Sequence, residues 1–188
     1  MTDQVATDQI ETEQDTVIAR VQAQFGEEIL EASVEQDQPT FVVGRETLLS
    51  LAAFLRDDPE LQFARFVDIC GADYLNIGQK LPRRTRFEVI YHLHSLELNR
   101  WVRVRVPVEE DDAEVPSLTG LWSGANWFER EAFDLFGIRF TNHPDMTRIL
   151  MPDEWEGHPL RKDYQPPKEP HEWSFNPEEW QKAVQRGG

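Results

Sequence analysis

Arg86-Phe-Glu-Val-Ile-Tyr-His-Leu-His-Ser-Leu96, followed by Trp101-Val-Arg-Val-Arg-Val-Pro-Val108, is the stretch that decides the fold. In the first run Phe87, Val89, Tyr91 and Leu93 recur at every second position. In the second, Val102, Val104, Val106 and Val108 alternate with Trp101, Arg103 and Arg105. A period of two sends successive side chains to opposite faces of a strand, so each run buries one face. The short Glu97–Arg100 link predicts that the two strands form an antiparallel hairpin.

Working upstream, Phe63 to Cys70 is β-branched and aromatic and predicts a further strand with Gly71 at its end. Residues 45–56 carry a helical stripe through Leu48, Leu49, Ala52 and Leu55, stopped by Asp57-Asp58-Pro59. Residues 28–34 and 40–43 read as two short strands around a Gln-Asp-Gln-Pro turn. From Thr16, helical spacing of Val17, Ile18, Val21 and Phe25 ends at Gly26. Residues 1–15 hold five acids and no Lys or Arg, which predicts a disordered acidic N-terminus. They have neither the basic region nor the apolar core of a signal peptide.

Downstream, residues 117–136 predict the longest helix, through Leu118, Leu121, Trp122, Ala125, Phe128, Ala132, Leu135 and Phe136, with Gly137 just past its end. The order does not alternate strand and helix as a doubly wound fold does. It predicts an α+β fold over 16–140: a two-layer domain with helices packed on a mixed β-sheet. Beyond 140, prolines at 144, 152, 159, 166, 167, 170 and 177 each remove a backbone donor. Ile149, Leu150, Met151, Trp155, Leu160, Tyr164, Trp173, Phe175 and Trp180 run among them, so 141–188 predicts an extended, proline-rich C-terminal docking arm. The domain holds part of that apolar surface, and a second protein the rest.

The 188 residues suffice for one domain that buries about 70% of its unfolded surface. A net charge of −16 excludes a nucleic-acid face and disfavours anionic lipid. The small basic groups Arg83, Arg84 and Arg86, and Arg100, Arg103 and Arg105, read as a solvated strand face. Cys70 is the single cysteine, whereas a thiolate-held iron–sulfur cluster takes about four. No apolar run approaches the roughly 20 residues of a membrane span, so the expectation is a cytosolic or cytosol-facing protein.

Glu129, Arg130, Glu131 and Asp134 lie within two helical turns, and Glu131 and Asp134 are three apart on one face. That spacing suits an acid–base pair; the plainer reading is a surface salt-bridge network with Arg130 and Arg139. The apolar residues around them favour buried or interfacial ion pairs, which set orientation more reliably than stability. His143 and His158 each precede a proline, with Asp145, Asp153 and Asp163 nearby, but they lack the close pairing of zinc ligands. His92 and His94 share a strand face that Arg103 and Arg105 mark as exposed. No nucleophile or phosphate-cradling glycine loop stands out, so no catalytic, cofactor or metal site is assigned.

The run Ala125-Asn-Trp-Phe-Glu-Arg-Glu-Ala-Phe-Asp-Leu-Phe-Gly-Ile138, then Asn142-His-Pro-Asp145, Arg148-Ile-Leu150 and Gly157-His-Pro-Leu-Arg-Lys-Asp-Tyr164, closely resembles the C subunit, or 30 kDa subunit family, of proton-pumping NADH:quinone oxidoreductase, respiratory complex I. Val67-Asp-Ile-Cys-Gly-Ala-Asp-Tyr74 and the Phe87–Leu96 strand support it, over about residues 60–164. The resemblance implies a peripheral-arm subunit without cofactor, in a hetero-oligomer at the cytoplasmic face of the bacterial inner membrane. It implies packing on the large quinone-site D subunit, near the cluster-bearing B and I subunits. Iron–sulfur clusters, FMN and quinone would then sit on partner subunits.

On the motif positions, Glu129, Arg130, Glu131, Asp134, Gly137, His143, Pro144, Asp145, Arg148, Gly157, His158, Pro159, Arg161, Lys162 and Asp163 are expected to serve folding and docking. Residues 1–15 and 165–188 follow no family pattern. A ferredoxin:plastoquinone oxidoreductase or membrane-bound hydrogenase subunit is the alternative within the resemblance. A stand-alone hydrolase using Glu131, Asp134 or the histidines is the alternative outside it.

Overall fold

The computed structural model describes residues 2–75 and 85–165, with side chains from Gln14 onward. A five-stranded sheet in the order β1-β2-β5-β4-β3 is formed by β1 (Ile29–Glu35), β2 (Gln38–Val43), β3 (Arg65–Asp73), β4 (Phe87–Ser95) and β5 (Arg100–Val108). β2 and β5 pair in parallel and the other neighbours antiparallel, so the sheet is mixed. Helices α1 (Thr2–Phe25), α2 (Arg45–Asp57) and α3 (Ala125–Phe136) pack on one face.

The expected hairpin forms, with Tyr91 opposite Val104 and both alternating apolar sets buried against the helices. β1 and β2 join through Gln36 and Asp37, both at positive φ (51° and 60°), the mirror-image turn whose twist matches two antiparallel strands. On α2, Leu48, Leu51, Ala52 and Leu55 face the core, while Leu49 is exposed.

Several expectations are corrected. Residues 1–15 were expected to be disordered, yet α1 begins at Thr2. No Gly or Pro interrupts it before Gly26, and Gln, Glu and Ala are good helix formers. The helix expected over 117–136 starts only at Ala125. Ser117–Gly124 forms turns in which Leu121 and Trp122 N–H both return to the Leu118 carbonyl, so helical spacing of the apolar residues survives without a continuous helix. Two three-residue strands went unpredicted: β6 (Glu114–Pro116) and β7 (Arg139–Thr141) pair in parallel and bracket α3.

The supposedly solvated arginines are largely consumed within the domain. Arg105 is buried, 2.8 Å from Glu88 and 3.0 Å from Glu35, and Arg103 donates to His92 Nε2 at 3.1 Å. Arg86 is buried among Asp73, Glu110 and Asp163, whereas Arg83 and Arg84 lie outside the described residues. His94 is buried rather than exposed, its ring 4.6 Å from that of Trp101.

The C-terminal segment is the largest departure. Residues 142–165 do not extend away; they form a strap laid back over α3 and β3, and 166–188 lie outside the described residues. Gly71, inside β3 and not at its end, faces α3, and a Cβ there would meet the Phe136 ring at 2.5 Å. Gly71→Ala should therefore cost about 1–3 kcal/mol by overpacking, seen as a lower urea midpoint at unchanged slope.

Candidate functional site: the strapped end of helix α3

A helix leaves its last four carbonyls without intrahelical partners and carries a partial negative charge at that end. On α3 all four are occupied. Gly137 N–H donates to Phe133 O at 2.8 Å, and His158 Nδ1 and Arg148 reach Asp134 O at 2.9 and 3.3 Å. Leu160 N–H donates to Leu135 O at 3.0 Å, and Arg161 Nε to Phe136 O at 2.6 Å. The Gly-His-Pro-Leu-Arg run is thus a cap delivered from a distant segment, with two guanidinium groups at the negative end of the helix.

The anchor of the strap is Asp134, whose side chain is fully buried. Oδ1 meets Arg148 at 2.6 Å, and Oδ2 accepts N–H groups from Ile149, Leu150 and Met151 at 3.0, 2.7 and 2.9 Å. Burial pushes its pKa up, but the Met151 amide, Arg148 and the other two amides outweigh it and hold the carboxyl below the usual range. Such a nest of amides binds an anion, and here the anion belongs to the chain itself. Arg148 also donates to the carbonyls of Trp155 and Gly157, and Arg130 to those of Thr147 and Arg148.

Two turning points require glycine. Gly137 adopts φ 74° and Gly157 φ 83°, left-handed conformations that glycine takes without steric cost. A Cβ on Gly137 would stand 2.5 Å from both Arg161 and His158. Burial, then Arg161 and Arg148, lower the His158 pKa against the pull of Asp134, so its imidazole is neutral at pH 7. The far end of the strap is held by Asp73, which accepts Lys162 N–H at 2.8 Å and pairs with Arg86; Arg86 also binds Asp163.

Of the motif residues, Asp134, Gly137, Arg148, Gly157, His158 and Arg161 converge on the end of α3, Lys162 reaches Asp73 of β3, Asp163 pairs with Arg86 just before β4, and Arg130 clasps the strap. Glu129 and His143 meet in the interior, 3.9 Å apart. Glu131, Pro144 and Asp145 are exposed, while Pro159 is half-buried. Glu131 and Asp134 do not form a catalytic pair, because one faces solvent and the other has its oxygens saturated. Asp73 and Arg86 were missed; nothing near either in sequence signals a partner some 80 residues away. Among the described residues no three His, Cys, Asp or Glu side chains could hold a metal, and no helix is long and apolar enough to cross a membrane.

Along the seam between α3 and the strap stand Trp127, Leu150 and Leu160, 61%, 56% and 48% exposed, with the Arg130 guanidinium over the Trp127 ring. Fold and site together define a two-layer α+β domain whose third helix is capped by its own C-terminal strap. The family model described as respiratory-chain NADH dehydrogenase, 30 Kd subunit, matches residues 41–170, and the chain belongs to that family, a subunit of complex I.

Its relatives include the C subunit of NADH-quinone oxidoreductase from Roseiflexus sp. (strain RS-1), 47% identical over 161 residues, covering 86% of this chain and 89% of the relative. The C/D subunit of the same enzyme from Azotobacter vinelandii (strain DJ / ATCC BAA-1303) is 40% identical over 191 residues, covering 92% of this chain and 31% of that protein. Among solved structures, a trypsin-resistant fragment of Nqo5 aligns with TM-score 0.57 and 32% identity, covering 71% of this chain and 98% of the fragment. The fold is shared as well by a chain of a membrane-bound sulfane sulfur reductase, at TM-score 0.64 and 20% identity, covering 80% and 85%.

Proposed function

We propose that this chain is a non-catalytic, cofactor-free peripheral-arm subunit of a proton-translocating NADH:quinone oxidoreductase. It docks on the large quinone-site D subunit, beside the cluster-bearing B and I subunits, on the cytoplasmic face of the bacterial inner membrane. Electrons from NADH pass through FMN and iron–sulfur clusters on partner subunits to quinone, and this chain holds the large subunit in register. The observation that carries the reading is the C/D relative, in which a C segment similar to this chain shares one polypeptide with D.

The described strap leads toward residues 166–188 past the exposed Trp127, Leu150 and Leu160, and aromatic and aliphatic anchors of this kind dominate interface energy. The motif side chains support docking indirectly, by fixing the strap that presents Leu150 and Leu160 beside the helix that carries Trp127. Trp127→Ala with Leu150→Glu should leave the unfolding temperature of the chain unchanged and reduce its co-purification with the D subunit from solubilised membranes at least tenfold, the equivalent of about 1.4 kcal/mol or more. Undiminished recovery of the D subunit would refute this face as the contact. Metal binding or substrate turnover by the purified chain would support the hydrolase instead.

A further inference from the structure

One titratable side chain in the core takes no part in capping α3. Glu129 is fully buried in the first turns of the helix. Its Oε1 accepts Leu118 N–H at 2.6 Å. Oε2 is buried without a hydrogen-bond partner, and so is the Tyr91 hydroxyl from β4.

Among the described residues the only basic group within ion-pair reach of Glu129 is His143, with Nε2 3.9 Å from Oε2. His143 Nδ1 accepts Asp145 N–H at 3.0 Å. An imidazole nitrogen that accepts a hydrogen bond carries no proton, and the ring's other nitrogen, Nε2, stands 3.3 Å from Asn126 O. At 3.9 Å from Oε2 the ring makes no hydrogen bond to Glu129. β4 contributes Tyr91, the turn after β6 contributes Ser117 and the Leu118 amide, and the strap contributes His143; none supplies a Lys or Arg.

A carboxylate in this chamber would leave one charged oxygen with no donor, which is costly in an apolar interior. We propose that Glu129 is a proton-binding site in the core, carried as the neutral acid while the Asn142–Asp145 turn is seated, and that loss of this proton unseats the turn. Burial supports it, lifting the carboxyl to about 7 against the Leu118 amide. Asn142, Pro144 and Asp145 are exposed, so this turn is the element that can admit water to a charged Glu129 without opening the sheet. The inference concerns the isolated chain and does not rest on docking to the large quinone-site subunit.

The sign follows from linkage. The native carboxyl holds its proton above the ordinary glutamate range, so folding stability falls as pH rises from that range to about 7. The test uses the full chain with 13C-labelled glutamate carboxyls and 15N-labelled amides, titrated from pH 5 to pH 9. The Glu129 carboxyl signal, identified by its loss in Glu129→Gln, should titrate near 7. The Asp145 amide should shift with the same midpoint and stay constant in Glu129→Gln.

Infrared spectra of the wild type supply an independent readout should the variant fail to fold: the C=O band of a buried protonated carboxyl, present at pH 5 and lost by pH 9. A Glu129 carboxyl ionised throughout this range, the absence of that band, or an Asp145 amide that does not follow the titration would overturn the proposal.

Discussion

Replacing Asp134 with alanine should cost about 3–5 kcal/mol, the usual penalty for removing one partner of a buried ion pair. The substitution strands Arg148 and leaves the amides of Ile149, Leu150 and Met151 without their acceptor. For a chain of this size that is a fall of about 6–20 °C in unfolding temperature. Asp134→Asn keeps the shape and one acceptor oxygen, and should lose less. The pH dependence distinguishes this account from simple cavity formation. Because the native carboxyl is held below the usual range, its contribution is complete above the pKa of the unfolded chain. It is lost as pH falls through the lower native value. Wild type should therefore converge on Asp134→Ala in acid, measured by urea unfolding between about pH 6 and pH 2. A constant gap across that range would count against the amide nest.

Gly137→Val should cost about 2–4 kcal/mol, combining the penalty of about 1–2 kcal/mol for a left-handed L-residue with a steric clash. The atoms it would strike belong to Arg161 and His158, the same groups that occupy the last carbonyls of α3. The damage should accordingly be local before it is global. Hydrogen exchange is expected to show lost protection at the Leu160 and Lys162 amides, which bond Leu135 O and Asp73, while the β4–β5 ladder stays protected. Retained protection at Leu160 would mean that the cap does not depend on close approach at Gly137. Since the same strap exposes Leu150 and Leu160, a variant with a loosened strap should also assemble poorly with its partner.

Local chemistry was written plainly enough to be read in order along the chain. The period of two through Phe87–Leu93 and Val102–Val108 determined the hairpin, because a one-residue slip would turn an apolar set away from the core. Gly137 marked the end of α3 because a left-handed cap requires it, and the crowding of charge among aromatics between 129 and 164 marked the site. Where periodicity alone was used it overshot: Leu118 and Trp122 keep helical spacing within turns, so α3 looked two turns longer than it is.

What only the tertiary structure decided was the pairing of charges with partners far along the chain. Asp134 looked like half of a catalytic or surface pair with its helical neighbour Glu131, but its partners are Arg148 and three amides 15 to 17 residues away. Arg86 looked solvated, and it joins Asp73 to Asp163. The proline-broken segment looked extended, and over 142–165 it returns to cap the helix that precedes it. The physical reason is one of range. Hydrophobic periodicity and glycine conformation act within a turn or a strand and so appear in the local sequence. A buried charge is satisfied by whichever donors the fold brings to it, and the identity of those donors is a property of the chain path.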